Sequence, residues 1–117
     1  MYRAAVSYAP SYGPWDAIYY EPYLDLPQKN RAAYDQAELT RQICGLKGHL
    51  MIVAGTSDCF AIYTAMKMTR ALIEKGIDHE FVVVPEAFHQ FVGAEDDYLM
   101  RKLTGWFDRY VRQRAGG

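Results

Sequence analysis

Residues 50–60 read LMIVAGTSDCF, an apolar run followed by a glycine, two hydroxyl residues and an aspartate. From His49 to Ala54 nothing alternates after the first residue, the pattern of a strand covered on both faces. Gly55 to Asp58 then end the strand, and Asp58 stands just beyond it. Two roles fit an aspartate there: a turn or helix N-cap residue, or an acid presented at the end of a buried strand.

Downstream, IYTAMKMTRALIEK (Ile62–Lys75) spaces apolar residues by three and four, at Ala65, Met66, Leu72 and Ile73. This predicts an amphipathic helix with Gly76 as its C′ residue. A second buried strand is expected over His79–Val84, ended by Pro85. A last helix over Tyr98–Arg112 would carry Leu99, Leu103, Trp106, Phe107 and Tyr110 on one side, with Arg109, Arg112 and Arg114 near its C-terminal end. Upstream, Arg3–Ala9 suits a first strand. Residues 10–31 hold four of the five prolines and many tyrosines, an ordered excursion with short helical turns because so many rings need burial. Ala32–Leu39 fits a short helix within it.

Strand, excursion, strand, helix, strand, helix is an α/β pattern with parallel strands. The expected plan is a single partial domain: first strand over 1–9, aromatic and proline-rich excursion over 10–48, strand–helix–strand–helix over 49–114, and a tail over 115–117. Three parallel strands are few for such a sheet, and the sequence reads as part of a larger one.

The 117 residues are half apolar and 15% aromatic, enough for a core. A formal charge of −1 and a pI near 6.3 argue against nucleic-acid or membrane partners. No run approaches the roughly 18 apolar residues of a membrane span, and no signal peptide opens the sequence, so a cytoplasmic location is expected. Cys44 and Cys59 read as two reduced thiols without metal-site spacing. No cofactor or metal site is expected; His49 and His79 read as exposed residues at the strand starts, away from the site.

In open parallel sheets, ligands bind beyond the carboxyl ends of the strands. Asp58 and His89 fall on loops leaving successive strands at that edge. A carboxylate accepting the Nδ1–H of an imidazole fixes the tautomer and stabilises the imidazolium, the orienting half of a catalytic triad. The order acid then histidine matches that of α/β-hydrolases. Singly, Asp58 reads as a cap and His89 as a solvated loop residue; together they make candidate catalytic residues.

GTSD after LMIVA, the helix TAMKMTRALIEKG, then HEFVVVPEAFHQF resemble the end of a prolyl oligopeptidase catalytic domain of the dipeptidyl peptidase IV type, with an α/β-hydrolase fold. YLMRKLTGWFDRYV resembles that family's last helix. AVSYAP and EPYLDLPQKNRAAYDQAEL resemble its strand after the nucleophile helix and the excursion that follows. The resemblance spans nearly the whole chain. It implies a serine peptidase or hydrolase in which Asp58 is the triad acid and His89 the general base, acting on a peptide or small ester. It also makes Tyr12, Tyr19 and Tyr20 weak candidates for substrate contact. Three positions depart from the family pattern: Ala54 in place of histidine, Phe60 in place of a small polar residue, and Gln90 in place of the glycine after the histidine. That glycine would allow a positive φ in the loop presenting the imidazole.

The family's nucleophilic serine lies in a GxSxGG elbow, and no GxSxG occurs in this sequence. Ser57, in GTSDC, lacks the small flanking residues of an elbow. Ser7 lies within the first strand, and Cys59 follows a carboxylate that disfavours its thiolate. The leading expectation is the acid–base part of a serine hydrolase, inactive alone. The alternative is a non-enzymatic oligomerising or ligand-binding module, and an intact esterase using Ser57 or Cys59 comes third. An uncovered first strand would recruit another edge, so a homo-oligomer paired through it is expected.

Overall fold

The computed structural model describes residues 2–14 and 20–112. Strands β1 (Ala4–Tyr8), β2 (His49–Gly55) and β3 (Glu80–Val84) form one parallel sheet in the order β1-β2-β3. Tyr8 lies opposite Val53, and Gly55 opposite Val84. The central strand is buried on both faces, as its unbroken apolar run requires. Ile52 and Ala54 point to one side with Ala65, Met68 and Leu72; Met51 and Val53 point to the other with Leu99 and Trp106. Truncating a side chain such as Ile52, fully buried, costs ~2–5 kcal/mol.

Between β1 and β2 run short helices α1 (Glu21–Leu24) and α2 (Arg31–Ala37), then two 3₁₀ turns at Leu39–Arg41 and Ile43–Gly45. This is the excursion of short helical turns expected from the aromatic-rich segment. Its anchor is Tyr34, 1% exposed, whose hydroxyl donates to the Asp25 carbonyl at 2.8 Å.

Helix α3 (Cys59–Glu74) covers one face of the sheet. It ends in a Schellman turn: Gly76, at φ 66°, donates to the Ile73 carbonyl and Ile77 donates to that of Leu72. Its buried face is Ala61, Thr64, Ala65, Met68 and Leu72. Met66 and Ile73, expected among the core positions, are exposed. Apolar residues occur all round this helix, so spacing alone left its buried side open. Thr64 decides it: its hydroxyl donates to the Pro10 carbonyl at 2.8 Å, which makes a buried threonine affordable there.

Helix α4 (Ala94–Phe107) covers the other face and continues into a π-helical turn, Asp108–Arg112. It starts four residues before the expected Tyr98, because Glu95, Asp96 and Asp97 occupy the first turn, where the helix dipole favours acids. Leu99 and Trp106 are buried with Leu103 and Tyr110 against them, whereas Phe107 lies off that face and is 41% exposed. At the N-terminal edge of the sheet, exposed His49 stacks on Tyr110 with centroids 3.7 Å apart. His79, expected to be exposed, is half-buried, its Nδ1 3.0 Å from the Ile77 carbonyl.

Candidate functional site

All three strands end at the same edge, and their exit loops are cross-linked there. After β2, the Thr56 N–H donates to the Val84 carbonyl and the Ser57 N–H to that of Ala87, each at 3.0 Å. The Thr56 hydroxyl accepts the Glu86 N–H at 2.7 Å. Gly55 makes this closeness possible. A Cβ on Gly55 would fall onto the Ala87 carbonyl oxygen and 2.7 Å from its carbon.

Asp58 therefore faces the loop after β3. Its two carboxylate oxygens do different things. Oδ1 accepts the Ala61 N–H at 3.3 Å and caps α3; Oδ2 lies 2.6 Å from Nδ1 of His89. The cap bond and the contact with His89 are thus made at once, one on each oxygen. An ionised carboxylate only accepts, so Nδ1 carries the proton and the neutral imidazole keeps its lone pair on Nε2. The Asp58 side chain is 10% exposed and that of His89 75%. The acid is shielded while the imidazole faces solvent, an arrangement able to take a proton at Nε2 and return it.

Gln90 keeps a negative φ; the positive-φ residues of this loop are Glu86, at 61°, and Gly93, at 57°. The conformational freedom expected of a glycine after His89 is not used at that position. Two anchors of the site were missed in the sequence. Thr56 reads in the sequence only as one of the residues that end the strand. Tyr8, the last residue of β1, donates its hydroxyl to the His89 carbonyl at 2.6 Å and accepts the Phe91 N–H at 3.0 Å. Its position at the carboxyl end of a strand was the available signal.

Tyr12 is buried, which pushes its phenol up, with the Ser7 hydroxyl pulling the other way. The Tyr20 hydroxyl lies 2.7 Å from that of Ser11. Tyr19 is outside the described residues. Cys44 and Cys59 are free and exposed. Among the described residues no helix is long and apolar enough to cross a membrane.

Residues 1–114 match the model of the prolyl oligopeptidase family. A Schizosaccharomyces pombe protein assigned as a dipeptidyl aminopeptidase is 35% identical over 102 residues, 80% of this chain and 12% of that protein. Among solved structures, a protein of Bacteroides ovatus assigned as dipeptidyl aminopeptidase IV superposes with TM-score 0.88 at 22% identity, covering 94% of this chain and 16% of the other. Dipeptidyl peptidase 4 of Porphyromonas gingivalis gives 0.83 at 24%, covering 92% and 16%. The chain thus spans a small part of the length of these relatives. The structural likeness gives the α/β-hydrolase fold, and the sequence match places the chain in the prolyl oligopeptidase family.

Proposed function

We propose that this chain carries the acid–base arm of a serine-type peptidase, with His89 as general base and Asp58 as its orienting acid. The observation that supports it most is the 2.6 Å contact between Asp58 Oδ2 and His89 Nδ1 on an exposed imidazole. His89 Nε2 takes the proton of an attacking hydroxyl and returns it to the leaving amine, while Asp58 stabilises the imidazolium between those steps. The substrate class is a peptide amide, and the names of the relatives favour release of dipeptides from the amino end. No GxSxG occurs in the 117 residues, so the nucleophile comes from a serine outside them, on a preceding segment or another chain. On its own the chain is inactive, because the pair lacks a covalent step.

A fluorophosphonate probe read by intact mass tests this. The isolated chain stays unlabelled; joined to a segment bearing a serine elbow, it gains one adduct, lost in His89→Ala. An adduct on the isolated chain would overturn the reading and point to Ser57 or Cys59.

A second reading, an oligomerising module, draws on β1, whose far side has no strand against it among the described residues. That edge accepts either the nucleophile-bearing strand or a second copy. Light scattering that gives a monomer at high concentration would exclude the second copy.

A further inference from the structure

We infer that Tyr8 is a positioning residue for His89, acting through the backbone of the loop that carries it. The inference rests on the acid–base reading above and extends it to β1. The Tyr8 hydroxyl has one proton and spends it on the His89 carbonyl, while its lone pair takes the Phe91 N–H. The two bonds bracket Gln90 and close a clip across the loop. Among the described residues no backbone–backbone hydrogen bond reaches residues 88–91. Phe88 and the His89 side chain are exposed, so packing does not hold the loop at those two residues. What fixes it is Asp58 at the imidazole, Tyr8 at the backbone, and Phe91, buried among Val84, Leu99 and Trp106.

The Tyr8 ring meets Phe91 edge to face, with centroids 5.0 Å apart and planes at 85°. Tyr8 is itself 39% exposed, so burial is not the main use of this side chain. Its proton and an accepted N–H both face the loop, so the work assigned to Tyr8 lies there. It sets where the His89 backbone lies, and thereby whether Nδ1 reaches Oδ2. This assigns to the end of β1 the work expected of a glycine at position 90.

Tyr8→Phe keeps the ring and deletes the clip. The readout is the tautomer ratio of the neutral His89 imidazole, measured from its ¹⁵N shifts at alkaline pH and assigned by their loss in His89→Ala. Wild type shows the Nδ1–H form that the carboxylate selects. In Tyr8→Phe the ratio moves about tenfold toward the Nε2–H form, the scale of losing one net hydrogen bond, while β2 amide shifts stay in place. Gln90→Gly, which adds slack without touching Tyr8, moves the ratio the same way by less. A Tyr8→Phe ratio equal to wild type overturns the inference, as does a wild type without the Nδ1–H preference. Failure of the acid–base reading registers separately, as probe labelling that does not depend on His89.

Discussion

Replacing Gly55 with alanine tests whether the two loops at the strand ends are held by backbone approach. The added Cβ falls onto the Ala87 carbonyl, 2.7 Å from its carbon, whereas ordinary contact begins at 3.4 Å. The partner is backbone, so the loops must part by about 1 Å in a close-packed setting. Overpacking of this kind costs ~1–3 kcal/mol. The Ser57 N–H to Ala87 bond and the Glu86 N–H to Thr56 Oγ1 bond lie across the opened gap, and weakening them costs about 1 kcal/mol each. A loss of about 3–5 kcal/mol follows, or a fall in Tm of about 12–20 °C for a chain of this size. Thermal unfolding followed by circular dichroism measures it. Gly45→Ala is the control, since nothing lies within 4 Å of its added Cβ, and its Tm should hold. A Gly55→Ala protein melting within about 2 °C of wild type would refute the claim that this glycine sets the approach of the loops.

The divided duty of Asp58 separates two substitutions. Asp58→Ala loses the cap of α3 and about 1 kcal/mol of stability, whereas Asp58→Asn keeps a capping oxygen and loses only a few tenths; urea titration giving equal losses would sink the assignment. Glu86→Gly relieves a left-handed residue at φ 61° and should stabilise the chain by about 0.5–1 kcal/mol, unless a lower denaturation midpoint shows the position unstrained. Tyr12 and Tyr34 have phenols raised above the ordinary value of 10.0, chiefly by burial. The stability linked to them is complete below pH 10.0 and is lost as pH climbs through their higher folded values. Absorbance titration of the folded chain should show late-ionising tyrosines with unfolding alongside; all tyrosines titrating together near 10.0 would contradict it.

How much of this was visible in the sequence follows from the range of each interaction. Strand β2 was legible because its apolar run is local, and the placement of Asp58 and His89 at one sheet edge because each lies on the loop that leaves a strand. The turn after α3 was legible in Gly76. Helix α4 began earlier than its apolar pattern, since Glu95–Asp97 serve the dipole and leave no hydrophobic trace. The buried side of α3 was ambiguous until Thr64 met Pro10, 54 positions earlier in the chain. Tyr8 was the least legible. Its hydroxyl works across 81 positions, and nothing near it in sequence distinguishes a clip from an ordinary strand tyrosine.

The unequal dressing of the two sheet edges has a mechanical consequence. At the carboxyl edge, side-chain hydrogen bonds from Tyr8, Thr56, Asp58 and Thr64 tie all three exits and the start of α3 into one web. At the amino edge His49 rests on Tyr110 and Trp106, and the His79 Nδ1 contact with the Ile77 carbonyl stays within one segment. Rings slide where hydrogen bonds must break, so thermal fraying begins at the amino edge and travels toward the web. The amino edge loosens first, and the three strand exits, tied to one another, part together rather than one at a time.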